Sequence, residues 1–136
     1  MTKANQYDMK KIINDPNYAK ENNFKVKKNE KLFLIKYIKK FINRENISSY
    51  GRFRSVITDG DKIYAMSPHK AYNFEDFKIL NQKNECILQE FVEGTMINCF
   101  YFDNKWIIST KSVIGADCRF NKEGKTFLEM FNDGLD

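Results

Sequence analysis

The sequence predicts an α+β domain, mainly antiparallel β-sheet, flanked by a few short helices. Three observations predict it. Short apolar stretches rich in β-branched and aromatic residues recur from residue 52 onward. Tight-turn pairs, Asp59-Gly60 and Asp103-Asn104, separate them. Helical signals are few and brief, each marked by a capping residue. A length of 136 residues fits one compact domain able to bury one hydrophobic core.

The elements follow in chain order. Residues 1–24 read as a polar arm, weakly ordered unless docked, with a short helix over 6–13 that Asn14-Asp15-Pro16 ends. Residues 25–136 read as the single domain. Within it, 31–39 reads as a strand or a short helix, the strand being preferred, and 43–50 as a loop. The apolar, β-branched stretch 52–57 is expected to pair through the Thr58-Asp59-Gly60-Asp61 turn with 62–66, because Asp-Gly tolerates a positive φ. Pro68 stops that second strand. Asn73 is placed to cap a helix over Phe74–Leu80, with Glu75 and Asp76 in its first turn. Strands are expected over 86–92, 95–102 and 106–111. Thr126-Phe127-Leu128-Glu129 has capping-box spacing, so a terminal helix begins there.

Apolar residues make up 42% and aromatic residues 15%, which excludes disorder as the default. The formal charge is +5, from 23 basic and 18 acidic residues, which favours weak attraction to phosphate polyanions. Much of the excess lies early: Lys25, Lys27, Lys28, Lys31, Lys36, Lys39, Lys40 and Arg44 fall within one stretch. The run reads either as a solvated face or, with Phe24, Phe33, Tyr37 and Phe41 interleaved, as an RNA track. Cys86, Cys99 and Cys118 form no CxxC pair and His69 is the sole histidine, so no zinc site is expected. The thiols are expected to be buried, in a reducing compartment. No apolar run approaches the roughly 18 residues of a membrane span. The expected location is therefore cytoplasmic, with no membrane partner.

Three stretches stand out together. They are Tyr50-Gly51-Arg52-Phe53-Arg54-Ser55, then Lys70-Ala71-Tyr72-Asn73, then the region holding Phe91-Val92-Glu93-Gly94 and Thr110-Lys111-Ser112. In order and approximate spacing they resemble phage-type RNA ligases of the covalent nucleotidyltransferase superfamily. They also resemble the ligase-like proteins of large DNA viruses, through Glu93-Gly94-Thr95-Met96-Ile97-Asn98. The likeness covers about half the chain.

The resemblance implies a nucleotidyltransferase-like half domain and a definite chemistry. A lysine ε-amine of such enzymes attacks the α-phosphate of ATP, with Mg²⁺ and neighbouring cations neutralising the phosphates. By this likeness Arg54 would contact phosphate or an acidic partner, and Lys70 triphosphate or RNA. Glu93 and Gly94 would stand for the acid and glycine of the family's Lys-x-Asp-Gly motif. Lys111 would approach the phosphate from the next strand. The nucleophile position falls on Phe91, and a benzyl group cannot form a phosphoramidate. The family's later motifs have no counterpart before Asp136, so a protein partner supplying the missing half is an expectation too.

Each residue has a plainer reading beside this one. Phe91, Ile97, Tyr101 and Trp106 read as core or cross-strand packing residues. Gly94 reads as a bulge or bend, and Lys70 and Lys111 as solvated lysines. Three functions follow. The first is a degenerate module, a pseudoenzyme binding nucleotide, RNA or a partner protein. The second is an active RNA ligase using a displaced lysine, Lys70 or Lys111, with ATP and Mg²⁺. The third is a structural or assembly protein with no nucleotide role.

Overall fold

A computed structural model describes residues 7–82 and 84–135 of the chain. Its architecture is α+β, as the sequence predicts: a four-stranded antiparallel sheet, a separate two-stranded hairpin and a few short helices.

The N-terminal segment opens with two helices, α1 (Met9–Asn14) and α2 (Pro16–Glu21). Asp15 both ends the first and starts the second. A residue before proline is pushed towards extended geometry, and Asp15 has φ −121° and ψ 98°. From that position its carboxylate accepts from the N–H groups of Asn17 and Tyr18, at 3.0 and 3.1 Å. Residues 7–23, read from sequence as a polar arm, are docked on the sheet. Ile12 and Ala19 are buried against Phe24, Ile35, Tyr50 and Val56. Gln6, the first residue of the expected helix, lies outside the described residues.

The main sheet runs in the order β1 (Phe24–Asn29), β2 (Leu32–Tyr37), β3 (Val56–Thr58) and β4 (Ile63–Met66). Strand β1 is a finding beyond the sequence reading, which treated its lysines only as a charge run. Phe24 and Val26 alternate with Lys25 and Lys27, and the strand pairs from Phe24↔Tyr37 to Asn29↔Leu32. Strand β3 is shorter than the expected 52–57, because Tyr50–Arg52 coils into a 3₁₀ turn instead. That turn buries Tyr50, whose hydroxyl donates to the Asn23 carbonyl at 2.5 Å and accepts from the Ile38 N–H at 3.0 Å. The Asp59-Gly60 turn forms as expected. Gly60 has φ +106°, and the Asp59 carboxylate accepts from the N–H groups of Asp61 and Lys62.

Asn73 caps α3 (Phe74–Leu80) as its spacing predicts, accepting from the Asp76 N–H at 2.8 Å. The expected strand over 86–92 does not form. The stretch has no regular structure, and Ile87, Leu88, Phe91 and Val92 are 87%, 101%, 85% and 80% exposed. Chain regularity resumes in the hairpin of β5 (Asn98–Phe102) and β6 (Lys105–Ser109), turned by Asp103-Asn104 with both φ angles positive. Helix α4 (Phe127–Asp133) begins with the expected capping box between Thr126 and Glu129.

The main sheet is covered on both faces. Helices α1 and α2 cover one face, over Phe24, Ile35 and Val56. The other face packs Leu32, Leu34 and Ile57 against Phe100, with Phe102, Ile107 and Ile114 around them. The expectation of buried thiols does not hold. Cys86 and Cys99 are exposed and Cys118 is half-buried. Among the described residues no helix is long and apolar enough to cross a membrane.

Candidate phosphate-binding site

Cross-strand pairing places Lys25 opposite Lys36, and the two-residue period of a strand puts Lys27 on the same face. Leu34 and Leu32 continue that face but are buried beneath the hairpin. The lysines therefore occupy the end that the hairpin leaves open.

A turn following β6 closes over this end. The Thr110 N–H donates to the Val113 carbonyl at 3.0 Å, and Thr110 Oγ1 accepts from the N–H groups of Ser112 and Val113. This folds Ser112 inward. Lys27 Nζ donates to the Ser112 carbonyl at 3.0 Å, and Lys36 Nζ donates to Ser112 Oγ at 2.6 Å. Lys111 belongs to the same turn. Burial lowers the pKa of Lys36 below the ordinary lysine value, and the charges of Lys27, Lys111 and Lys25 lower it further. Among the described residues none of these four lysines forms an ion pair; the pairs present use other cations, such as Lys31 with Asp103 and Arg44 with Asp76. An open groove of about 350 Å³ runs beside the cluster, bordered by Lys27, Lys28, Ser112 and Ile114.

Four cations with no carboxylate in ion-pair contact, Glu30 standing farther along the same groove, raise the local potential, and mutual repulsion is relieved when an anion enters. The hydroxyl of Ser112 and flexible ammonium donors suit phosphate oxygens.

The residues singled out by sequence divide into three places. Lys111 joins Lys36, Lys27 and Lys25. Arg54 follows Phe53, whose carbonyl accepts from the Tyr37 N–H at 2.7 Å, so Arg54 lies at the C-terminal end of β2. Its charge is felt by the Tyr37 hydroxyl, which burial nonetheless raises above the ordinary tyrosine value. Lys70 lies beside the same bend: its N–H donates to the Gly51 carbonyl at 3.1 Å, and a Cβ on Gly51 would come within 3.3 Å of Lys70 Cβ. Phe91, Glu93 and Gly94 belong to the exposed stretch. Among the described residues Glu93 takes part in no hydrogen bond or ion pair, and a Cβ on Gly94 would meet open space.

Phe91 is neither a core residue nor a cross-strand partner. Tyr101 and Trp106 are cross-strand partners, with ring centroids 5.5 Å apart, yet both remain exposed. Lys25, Lys27 and Lys36 were legible only as a charge run. The missed signal was the Phe24/Val26 alternation, which fixes the face they share.

A larger groove of about 620 Å³ lies between the hairpin and α4, with an apolar floor including Leu32, Phe102, Ile107 and Phe131. Among the described residues no cluster of three or more His, Cys, Asp or Glu side chains is arranged to hold a metal ion. No protein-family model, curated protein or solved structure matches the chain.

Proposed function

We propose that this chain is a degenerate RNA-ligase-like module that binds phosphate-bearing ligands, RNA foremost, without transferring adenylate. One observation carries the reading: Lys36, flanked by Lys25, Lys27 and Lys111 and bonded to Ser112, with no carboxylate paired to any of the four among the described residues. Lys111 and Ser112 belong to the Thr110-Lys111-Ser112 motif of the family likeness, which supports a phosphate role for this turn. At the position the likeness assigns to the nucleophile stands Phe91, whose ring has no lone pair to offer phosphorus. ATP and Mg²⁺ are then ligands of an ancestor rather than requirements of this chain.

The test is binding of a single-stranded RNA across a salt series, with labelled ATP in a parallel reaction. Each phosphate neutralised on a single strand contributes a slope of about −0.7 to log K against log salt. Full engagement of the four lysines predicts a slope near −2.8, and the K36A/K111A variant one near −1.4. No AMP adduct should form. Salt-independent binding, binding unchanged in the variant, or a covalent adduct on any lysine would refute the reading.

The exposed stretch 86–92 favours a second reading, an assembly protein that associates through apolar surface. A chain with that role alone would bind other proteins and leave RNA untouched.

A further inference from the structure

The stretch 85–93, Glu-Cys-Ile-Leu-Gln-Glu-Phe-Val-Glu, has the composition of a buried strand and the surroundings of a loop. Its backbone makes no backbone–backbone hydrogen bond among the described residues. Its apolar side chains meet solvent almost completely, Leu88 at 101% exposure. Polar backbone and apolar side chains are thus both unpartnered, and a sheet edge would satisfy both together.

Such an edge exists on the same chain. Strand β1 is terminal in the sheet order, and residues 25–29 make no backbone–backbone bond outside the ladder with β2 among the described residues. Its six residues, Phe-Lys-Val-Lys-Lys-Asn, carry three lysines and no acid. The stretch 85–93 carries Glu85, Glu90 and Glu93 and no lysine or arginine. A lysine-rich edge repels basic strands and resists indiscriminate pairing. An acidic, apolar strand is the complement it admits.

We infer that the 86–92 segment adds as a fifth strand to the β1 edge of a second copy of this chain. Because each copy offers both the acidic strand and the basic edge, the exchange is reciprocal and closes as a two-fold dimer. Cross-strand glutamate–lysine pairs fix its register, and burial of Ile87, Leu88, Phe91 and Val92 drives it.

Sedimentation velocity with hydrogen exchange tests this. Wild type is expected to be dimeric at micromolar concentration, with slowed exchange at 86–92 and along 25–29. Two charge-reversed variants, E90K/E93K and K25E/K28E, are each expected to be monomeric alone. Mixing them restores a dimer, since each then offers the charge its partner lacks. A monomeric wild type, dimers that persist in either variant alone, or a dimer in which 86–92 exchanges freely would overturn the inference; the last outcome would assign the contact to another face. The polyanion reading stands or falls separately. K36A/K111A, which touches neither the β1 edge nor the 86–92 segment, should lower the RNA salt slope and leave the dimer intact.

Discussion

Tyr50 is the residue on which the helical face of the sheet turns. Its ring lies among Tyr7, Phe24 and Tyr37, with centroids 5.1 to 5.9 Å away. Its hydroxyl joins two backbone groups from separate segments, Asn23 and Ile38. Burial raises its pKa, so the neutral, donating form persists. Tyr50→Phe keeps the packing and strands both partners. Such orphaned groups cost about 1–3 kcal/mol. Urea denaturation should show a lower midpoint with an unchanged slope. An unchanged midpoint would mean that water replaces the hydroxyl without loss.

Asp59 makes a second prediction at this scale. Backbone N–H groups of Lys62 and Asp61, and then the Tyr64 hydroxyl, lower its pKa from 3.8 to about 2. A carboxyl depressed in the folded state contributes stability above its ordinary pKa and loses it as protons bind. Stability should therefore decline as pH falls from about 4 towards 2. Asp59→Asn should flatten the decline in urea midpoints measured across that window. An identical pH profile in the variant would contradict the assignment.

At the scale of elements, local chemistry was legible where a short motif closes on itself. Asn73, the Thr126/Glu129 box and Asp59-Gly60 each satisfy backbone groups within a few residues, and Asp103-Asn104 tolerates the positive φ of a two-residue turn, so spacing alone predicts them. The pair α1 and α2 was legible as a break, since Pro16 forbids a continuous helix, but not as a docked unit. Docking depends on Ile12 and Ala19 meeting Phe24 and Ile35, a contact between segments that periodicity cannot foresee. Strands were harder. Stretch 86–92 has strand composition, yet a strand exists only where another supplies its ladder, and none does among the described residues. Strand β1 is the converse, a lysine-rich run held as a strand because β2 pairs with it along its whole length.

For the molecule as a whole, the division of charge follows from the two-sided sheet. One face is closed by helices and the other, over Leu32, Leu34 and Ile57, by the β5–β6 hairpin. Apolar residues fill the covered part, and Lys25, Lys27 and Lys36 are left at the uncovered end. Of the sequence's candidates, Lys111 enters this cluster because the Thr110–Val113 turn folds back over β2. Lys70 stands beside Gly51, and Arg54 at the C-terminal end of β2. Glu93 and Gly94 stay with the exposed stretch. A linear motif order could list these residues, but the register of β1 on β2 decides which of them share a face.

The cluster's binding role is tested most directly by following the Lys36 side-chain amine by NMR as a function of pH, with and without single-stranded RNA. Burial first, and then the neighbouring cations, hold its pKa down, and phosphates entering the cluster offset those charges. RNA should therefore shift the Lys36 titration upward and perturb Lys27 and Lys111 with it. A Lys36 titration left in place while RNA is bound elsewhere would contradict the account.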